Sequence, residues 1–152
     1  MEKRPRIRVA VAVVHDDKLL LVQHTKARQS YWLLPGGGLE WGEGLKDCVT
    51  RELLEETGLV IESGELLFLS ETLSPDGTRH VIHLVFGGSW VGGELRVPDD
   101  EERITDVRWV GLDEVSQLTL HPPMQSALAK LDVQRSLHSE EERIFLGNLW
   151  VD

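Results

Sequence analysis

Apolar and polar residues along the chain fall into two alternating rhythms. The β-rich run Ile7 to Val14 and the run Leu19 to Gln23 are joined by Asp16-Asp17, which predicts a hairpin. A loop from Thr25 to Ser30 follows, then a short strand from Tyr31 to Leu34, stopped by Pro35 and the glycines Gly36 to Gly38. From Gly44 to Thr57 the apolar spacing lengthens to that of a helix, with Gly58 placed to end it. Strands are expected at Leu66 to Thr72 and Val81 to Trp90, with a turn from Ser74 to Thr78 between them. A further strand is expected at Val107 to Val110 and a short helix from Leu112 to Gln117. A longer helix is expected from Pro122 to Leu137, and Arg143 to Val151 reads as a terminal apolar strand. No repeat, linker or low-complexity run interrupts this order. The pattern implies a single α/β domain over residues 1–152, a sandwich around a mixed sheet, with about 139–152 as a C-terminal extension.

The helix starting at Gly44 carries the most specific chemistry. Glu52, Glu55 and Glu56 crowd its last turn within an arc of roughly 100°. Leu45, Cys48 and Val49 point in nearly the same direction, so the acidic cluster is aimed partly at the protein body. It also sits at the end of the helix where the macrodipole disfavours negative charge. Like charges at i, i+3 and i+4 repel, and a merely solvated helix end would not gather them. A bound divalent cation removes the conflict. Mg²⁺ suits carboxylate oxygens and keeps positions for water and phosphate, and Mn²⁺ shares those preferences. Zn²⁺ would favour His or Cys ligands that this segment lacks.

The segment Gly37 to Leu59, GGLEWGEGLKDCVTRELLEETGL, resembles the Nudix hydrolase signature GX5EX7REUXEEXGU, in which U is aliphatic. It matches at Gly37, Glu43, Arg51, Glu52, Leu53, Glu55, Glu56, Gly58 and Leu59. Seven non-aliphatic matches at roughly 7% usage each would arise by chance on the order of 10⁻⁸ per start point. The lead-in YWLLPGGGLE (Tyr31 to Glu40) is similar to the family's as well, and a looser likeness runs from about Arg6 to Leu118. The resemblance implies a Nudix-type α/β/α sandwich and a metal-dependent pyrophosphohydrolase. It makes Glu55 and Glu56 metal ligands, with Glu52 a further ligand or a base. One carbonyl of the glycine loop, assigned to Gly37, reaches the metal. Arg51 and Glu43 are expected to pair and lock the loop to the helix. Many family members draw their base from a glutamate ahead of a tryptophan outside the signature. Here PDDEERITDVRW offers Glu101 and Glu102 before Trp109, with Glu102 preferred.

Composition narrows the partners. Sixteen Lys+Arg against 26 Asp+Glu give a net charge of −10. A broad nucleic-acid or acidic-membrane footprint needs the opposite sign, whereas a bound metal still allows small phosphorylated nucleotides. The N-terminus MEKRPRIR lacks a signal-peptide pattern and no stretch is long enough to span a bilayer, so a cytoplasmic location is the default expectation. The one cysteine, Cys48, reads as a small core residue of the helix.

Substrate contacts are less legible. Trp32 is expected to stack on a base, with Tyr31, Phe86 and Trp90 as alternatives, and Arg28 and Arg79 to contact phosphates. Core packing for the aromatics and plain solvation for the arginines are the simpler readings. Pro75, sixteen residues after Leu59, resembles a pattern marking ADP-ribose pyrophosphatases, although SPDG is also an ordinary turn. The expected reaction is water attack at phosphorus on a nucleoside diphosphate linked to another group: ADP-ribose, a nucleotide sugar or a (d)NTP. The competing class is a non-catalytic domain that senses a nucleotide metabolite. Its mark would be loss of Glu52, Glu55 or Glu56, and all are present. The terminal run Arg143 to Val151 either completes the chain's own sheet or pairs across a homodimer.

Overall fold

In a computed structural model, residues 3–131 and 144–152 are described. The order of elements is β1 (Arg6–His15), β2 (Lys18–Lys26), β3 (Gln29–Leu33), β4 (Gly36–Gly38), α1 (Leu45–Thr57), β5 (Leu59–Leu73), β6 (His80–Gly93) and β7 (Ile104–Gly111). A 3₁₀ turn (Val115–Gln117), α2 (Gln125–Ala129) and β8 (Phe145–Asn148) complete it. Strand β1 explains the layering. Val9 to Val13 are all buried, so both faces of the strand are covered. Val9, Val11 and Val13 pack in one cluster with Cys48, Val49 and Leu53 of α1. Ala10 and Ala12 pack in a second with Val115, Met124 and Leu128. A strand alternating valine and alanine thus divides two apolar cores, one under each helical layer, and the fold is an α/β/α sandwich.

The sheet is mixed, with strand order β3-β2-β1-β6-β5-β8; β4 also pairs with β1, and β7 with β2. Along one edge β1 runs parallel to β6 from Arg6 to Val13. Along the other edge its partner changes, from β4 at Arg8 to Ala10 to β2 at Val14 and His15. The strands part there. The motif helix lies over β4, beside that opening.

Several elements differ from the pattern's expectation, each for a local reason. The loop expected from Thr25 to Ser30 is a two-residue turn, with Ala27 at φ 51° and Arg28 at φ 67°. The strand pairs Thr25↔Ser30 and Lys26↔Gln29 close it. Neither residue is a turn former, whereas Asp16 and Asp17 (φ 51° and 60°) are, which is why only the first hairpin was legible. Strand β5 begins at Leu59, directly after the helix, rather than at Leu66. Its register shifts between Val60 and Ile61 and twice more before Phe68, and such bulges erase the two-residue alternation. The short helix at Leu112 contracts to a 3₁₀ turn. The helix expected from Pro122 starts at Gln125, because backbone bonds between Trp32 and both Thr119 and His121 hold the preceding chain extended. It ends at Ala129, short of the expected Leu137, and positions 132–137 lie outside the described residues.

The terminal apolar run joins the chain's own sheet. Strand β8 pairs parallel to β5. The Asn148 amide accepts from the Leu73 N–H at 3.1 Å and donates to the Leu73 carbonyl at 3.2 Å, standing in for a strand neighbour. Arg143, the expected first residue of this strand, lies outside the described residues. No described helix is long and apolar enough to cross a membrane.

Candidate active site

Helix α1 is stopped by Gly58, at φ 77°, whose N–H returns to the Leu54 carbonyl. A side chain there would be strained, and a Cβ would sit 2.3 Å from the Glu94 carbonyl oxygen. Ending the helix at that point leaves Glu52, Glu55 and Glu56 on its final turns beside β4. Arg51 organises the group. Its Nε donates to Glu43 Oε2 at 2.7 Å and its Nη2 to Glu43 Oε1 at 2.9 Å, a two-pronged pairing that ties the loop to the helix. Nη1 donates to Glu52 Oε1 at 2.8 Å and lies 3.5 Å from Glu55 Oε2. Nη2 also reaches the Gly38 carbonyl at 3.3 Å. These bonds hold the Glu43 carboxyl down at about 2, so it is an anion at any working pH.

Glu56 is in the opposite condition. Its Oε2 accepts a long bond of 3.4 Å from the Gly36 N–H. Desolvation dominates, and the nearby Glu52 adds to it, pushing the carboxyl up to about 8 despite the Arg8 charge. Burial also raises Glu52, which Arg51 partly offsets. Cys48, its Sγ 3.8 Å from the Gly38 carbonyl, is raised to about 12 mainly by desolvation and is an inert thiol. Among the described residues no three His, Cys, Asp or Glu groups are already gathered to chelating distance. Glu52 and Glu55 lie instead against Arg51.

Two basic residues passed over in the sequence matter here: Arg8, which interacts with Glu56 and Glu52, and His24, which interacts with Arg8 and Glu101. Arg8, in β1, is paired in register with Gly38 on one side and His83 on the other. Burial lowers its pKa, while Glu56 and then Glu52 raise it. His24, in β2, is lowered by burial and by Arg8, and raised by Glu101. The signal for Arg8 was present: it is a cation next to the apolar run Val9 to Val14, where a charge is out of place. Tyr31 lies between His24, at 5.7 Å, and His121, on which it stacks at 4.5 Å and 15°.

The other expected site residues lie in different surroundings. Trp32 follows Tyr31 in a strand, so it faces the opposite core and packs there under Arg108, whose guanidinium is 5.4 Å from the ring centroid. The structure does not bring it to the carboxylates. Arg28 is exposed at the tip of the β2–β3 hairpin, and Arg79 is exposed at the foot of the turn into β6. Within the acidic run before β7, the Glu101 charge acts on both Glu56 and His24. Glu102, the expected base, is exposed beside it in the same loop.

An α/β/α sandwich whose motif helix ends in a carboxylate cluster against a glycine strand defines the class of protein, and sequence comparison gives its family. Residues 4–131 match the NUDIX domain, and the chain belongs to that family. Among curated relatives, it is 36% identical over 97 residues to an ADP-ribose pyrophosphatase of Methanocaldococcus jannaschii, covering 63% of this chain and 57% of that protein. It is 33% identical over 107 residues to the NAD-capped RNA hydrolase NudC of Vibrio parahaemolyticus, covering 70% of this chain and 39% of that protein. The chain thus spans little more than half the length of the first relative and less than half of the second. Among solved structures, a MutT NUDIX hydrolase from Burkholderia pseudomallei superposes with a TM-score of 0.71 at 28% identity, over 84% of this chain and 98% of that one.

Proposed function

We propose that the chain is a divalent-metal-dependent pyrophosphohydrolase acting on a nucleoside diphosphate joined to a second group. The observation that carries this reading is the Glu56 carboxyl. It is half-buried beside Glu52 with one long hydrogen bond, a placement unfavourable for a structural residue and suited to an ion ligand. The donor set fits a hard cation: three glutamates and the Gly37 carbonyl, all oxygen. Gly37 has no side chain to fill the space in front of Glu52. Mg²⁺ or Mn²⁺ held by Glu52, Glu55, Glu56 and the Gly37 carbonyl would neutralise the non-bridging oxygens and polarise the phosphorus.

The chain's own groups supply position and a base. Glu43 and Arg51 hold the glycine loop against the helix, so the carboxylates keep one geometry. Glu101, near both Glu56 and His24, takes the proton of the attacking water. Products are a nucleoside monophosphate and a second phosphorylated molecule. The names of the relatives, an ADP-ribose pyrophosphatase and an NAD-capped RNA hydrolase, support a dinucleotide-like or ADP-ribose-like substrate. The net charge of −10 favours a small molecule over a long polyanion.

The test is product chromatography with Mg²⁺ and with Mn²⁺ over ADP-ribose, nucleotide sugars, dinucleoside polyphosphates, NADH and ordinary and oxidised (d)NTPs. Metal-dependent release of a nucleoside monophosphate from one group is the expected result. Binding of one compound without turnover of any would instead identify a sensing domain.

A further inference from the structure

The geometry points to Arg8 as the residue that grips a non-bridging phosphate oxygen of the substrate's diphosphate, opposite the carboxylates of α1. This inference rests on the reading of the site as one for a phosphorylated ligand and adds to it the cation that the signature lacks. Arg51, the signature's arginine, is fully engaged with Glu43, Glu52 and Gly38 and has no donor pair to offer. Arg28 and Arg79 lie on exposed turns. Arg8 alone among these combines partial burial with proximity to Glu52 and Glu56.

Its bonding leaves a half-buried guanidinium with donors to spare. Nη2 donates to the Leu34 carbonyl at 2.8 Å, and that is its one hydrogen bond among the described residues. No carboxylate lies within ion-pair distance of it there. A guanidinium carries five N–H donors in a fixed fork, and those that Leu34 leaves over are not sealed from solvent, so they are open to a ligand. The groups around it do not take up those donors. Arg6, whose guanidinium lies over Gly38, repels it. His83, its register neighbour on β6, is uncharged at neutral pH. Glu56 and Glu52 attract it from beyond contact distance. Once those carboxylates are committed to a cation, Arg6 and Arg8 leave this side of the site positive. A diphosphate fits there, since the fork matches two phosphate oxygens at once.

The alternative is that Arg8 merely balances Glu52 and Glu56 as a structural counter-charge. Binding separates the two. Calorimetry would compare wild type, Arg8→Gln and Arg8→Lys with two probes in Mg²⁺: adenosine 5′-(α,β-methylene)diphosphate and imidodiphosphate, the latter free of any nucleoside preference. Mn²⁺ affinity and Tm would be measured on the same proteins. The expected result is a probe affinity about 10- to 100-fold weaker in Arg8→Gln, the size of a lost charged hydrogen-bond pair. Arg8→Lys should recover part of it, with Mn²⁺ affinity and Tm near wild type in both. On a turned-over substrate the loss should appear chiefly in KM.

Unchanged probe binding in Arg8→Gln overturns the proposal, as does wild type binding neither probe. A parallel fall in Mn²⁺ affinity and Tm with no separate loss of probe overturns it in favour of the counter-charge. Arg8-dependent probe binding in a protein that hydrolyses nothing would leave this inference standing and remove only the enzymatic reading.

Discussion

A Cβ placed on Gly37 would lie 2.3 Å from the carboxylate carbon of Glu52, so the strand and the helix meet at a point that admits no side chain. Gly37 has ordinary backbone angles, with none of the left-handed strain seen at Gly58. Its role is close approach. Gly37→Ala is therefore expected to leave the fold in place and push Glu52 aside. A displacement of about 1 Å at a reacting centre costs on the order of 100-fold in rate. Kinetics paired with thermal unfolding check this. An alanine variant with full activity would show that Glu52 need not hold its position.

Glu56→Gln keeps the size of the side chain and an acceptor for the Gly36 N–H, and removes the anion. Most turnover should vanish, together with Mn²⁺ affinity, while Tm stays near wild type. A variant with near wild-type rate and unchanged metal dependence would remove Glu56 from the set of ligands.

The two acids ahead of Ile104 should behave differently. Glu101→Gln is expected to lower kcat by about 100-fold or more, in the range for loss of a general base. Glu102→Gln should change it less, since Glu101 is the acid whose charge acts on both Glu56 and His24. Rates for both variants at saturating metal decide the matter, and the reverse order of effects would transfer the base to Glu102.

His83 predicts a dependence of stability on pH. It is buried, with Nε2 3.1 Å from Thr72 Oγ1, and burial followed by the Arg8 charge lowers its pKa from 6.5 to about 4. The unfolded chain takes up this proton below pH 6.5, while the folded protein does not until about 4. Stability is thus full above pH 6.5, declines as pH falls towards 4 and then levels. The difference is worth roughly 3 kcal/mol. Unfolding measured from pH 4 to 7 should show a shallower slope in His83→Gln than in wild type. Parallel curves would mean that His83 is already protonated in the folded protein.

Much of this molecule was legible along the chain because its signals are local. The helix is announced by its apolar spacing and by Gly58. The first hairpin is announced by Asp16-Asp17, and the carboxylate cluster by three glutamates too close together to be there by default. Signals that depend on a neighbour were not legible. The Ala27–Arg28 turn exists because the strands on either side pair, and the early start of β5 is hidden by bulges that β6 stabilises.

The site divides along the same line. Sequence by itself determined the family, the motif helix and its carboxylate cluster, since these rest on residue identity at fixed spacing within one turn-and-helix unit. Tertiary structure decided which cations and which outer glutamate stand beside that unit. Arg8 comes from β1, His24 from β2 and Glu101 from the approach to β7, and the charges of Arg8 and Glu101 both act on Glu56 and on His24. Trp32 and Tyr31, adjacent in the chain, were parted onto opposite faces by the two-residue repeat of a strand. Which face held the carboxylates depended on where the helix packed.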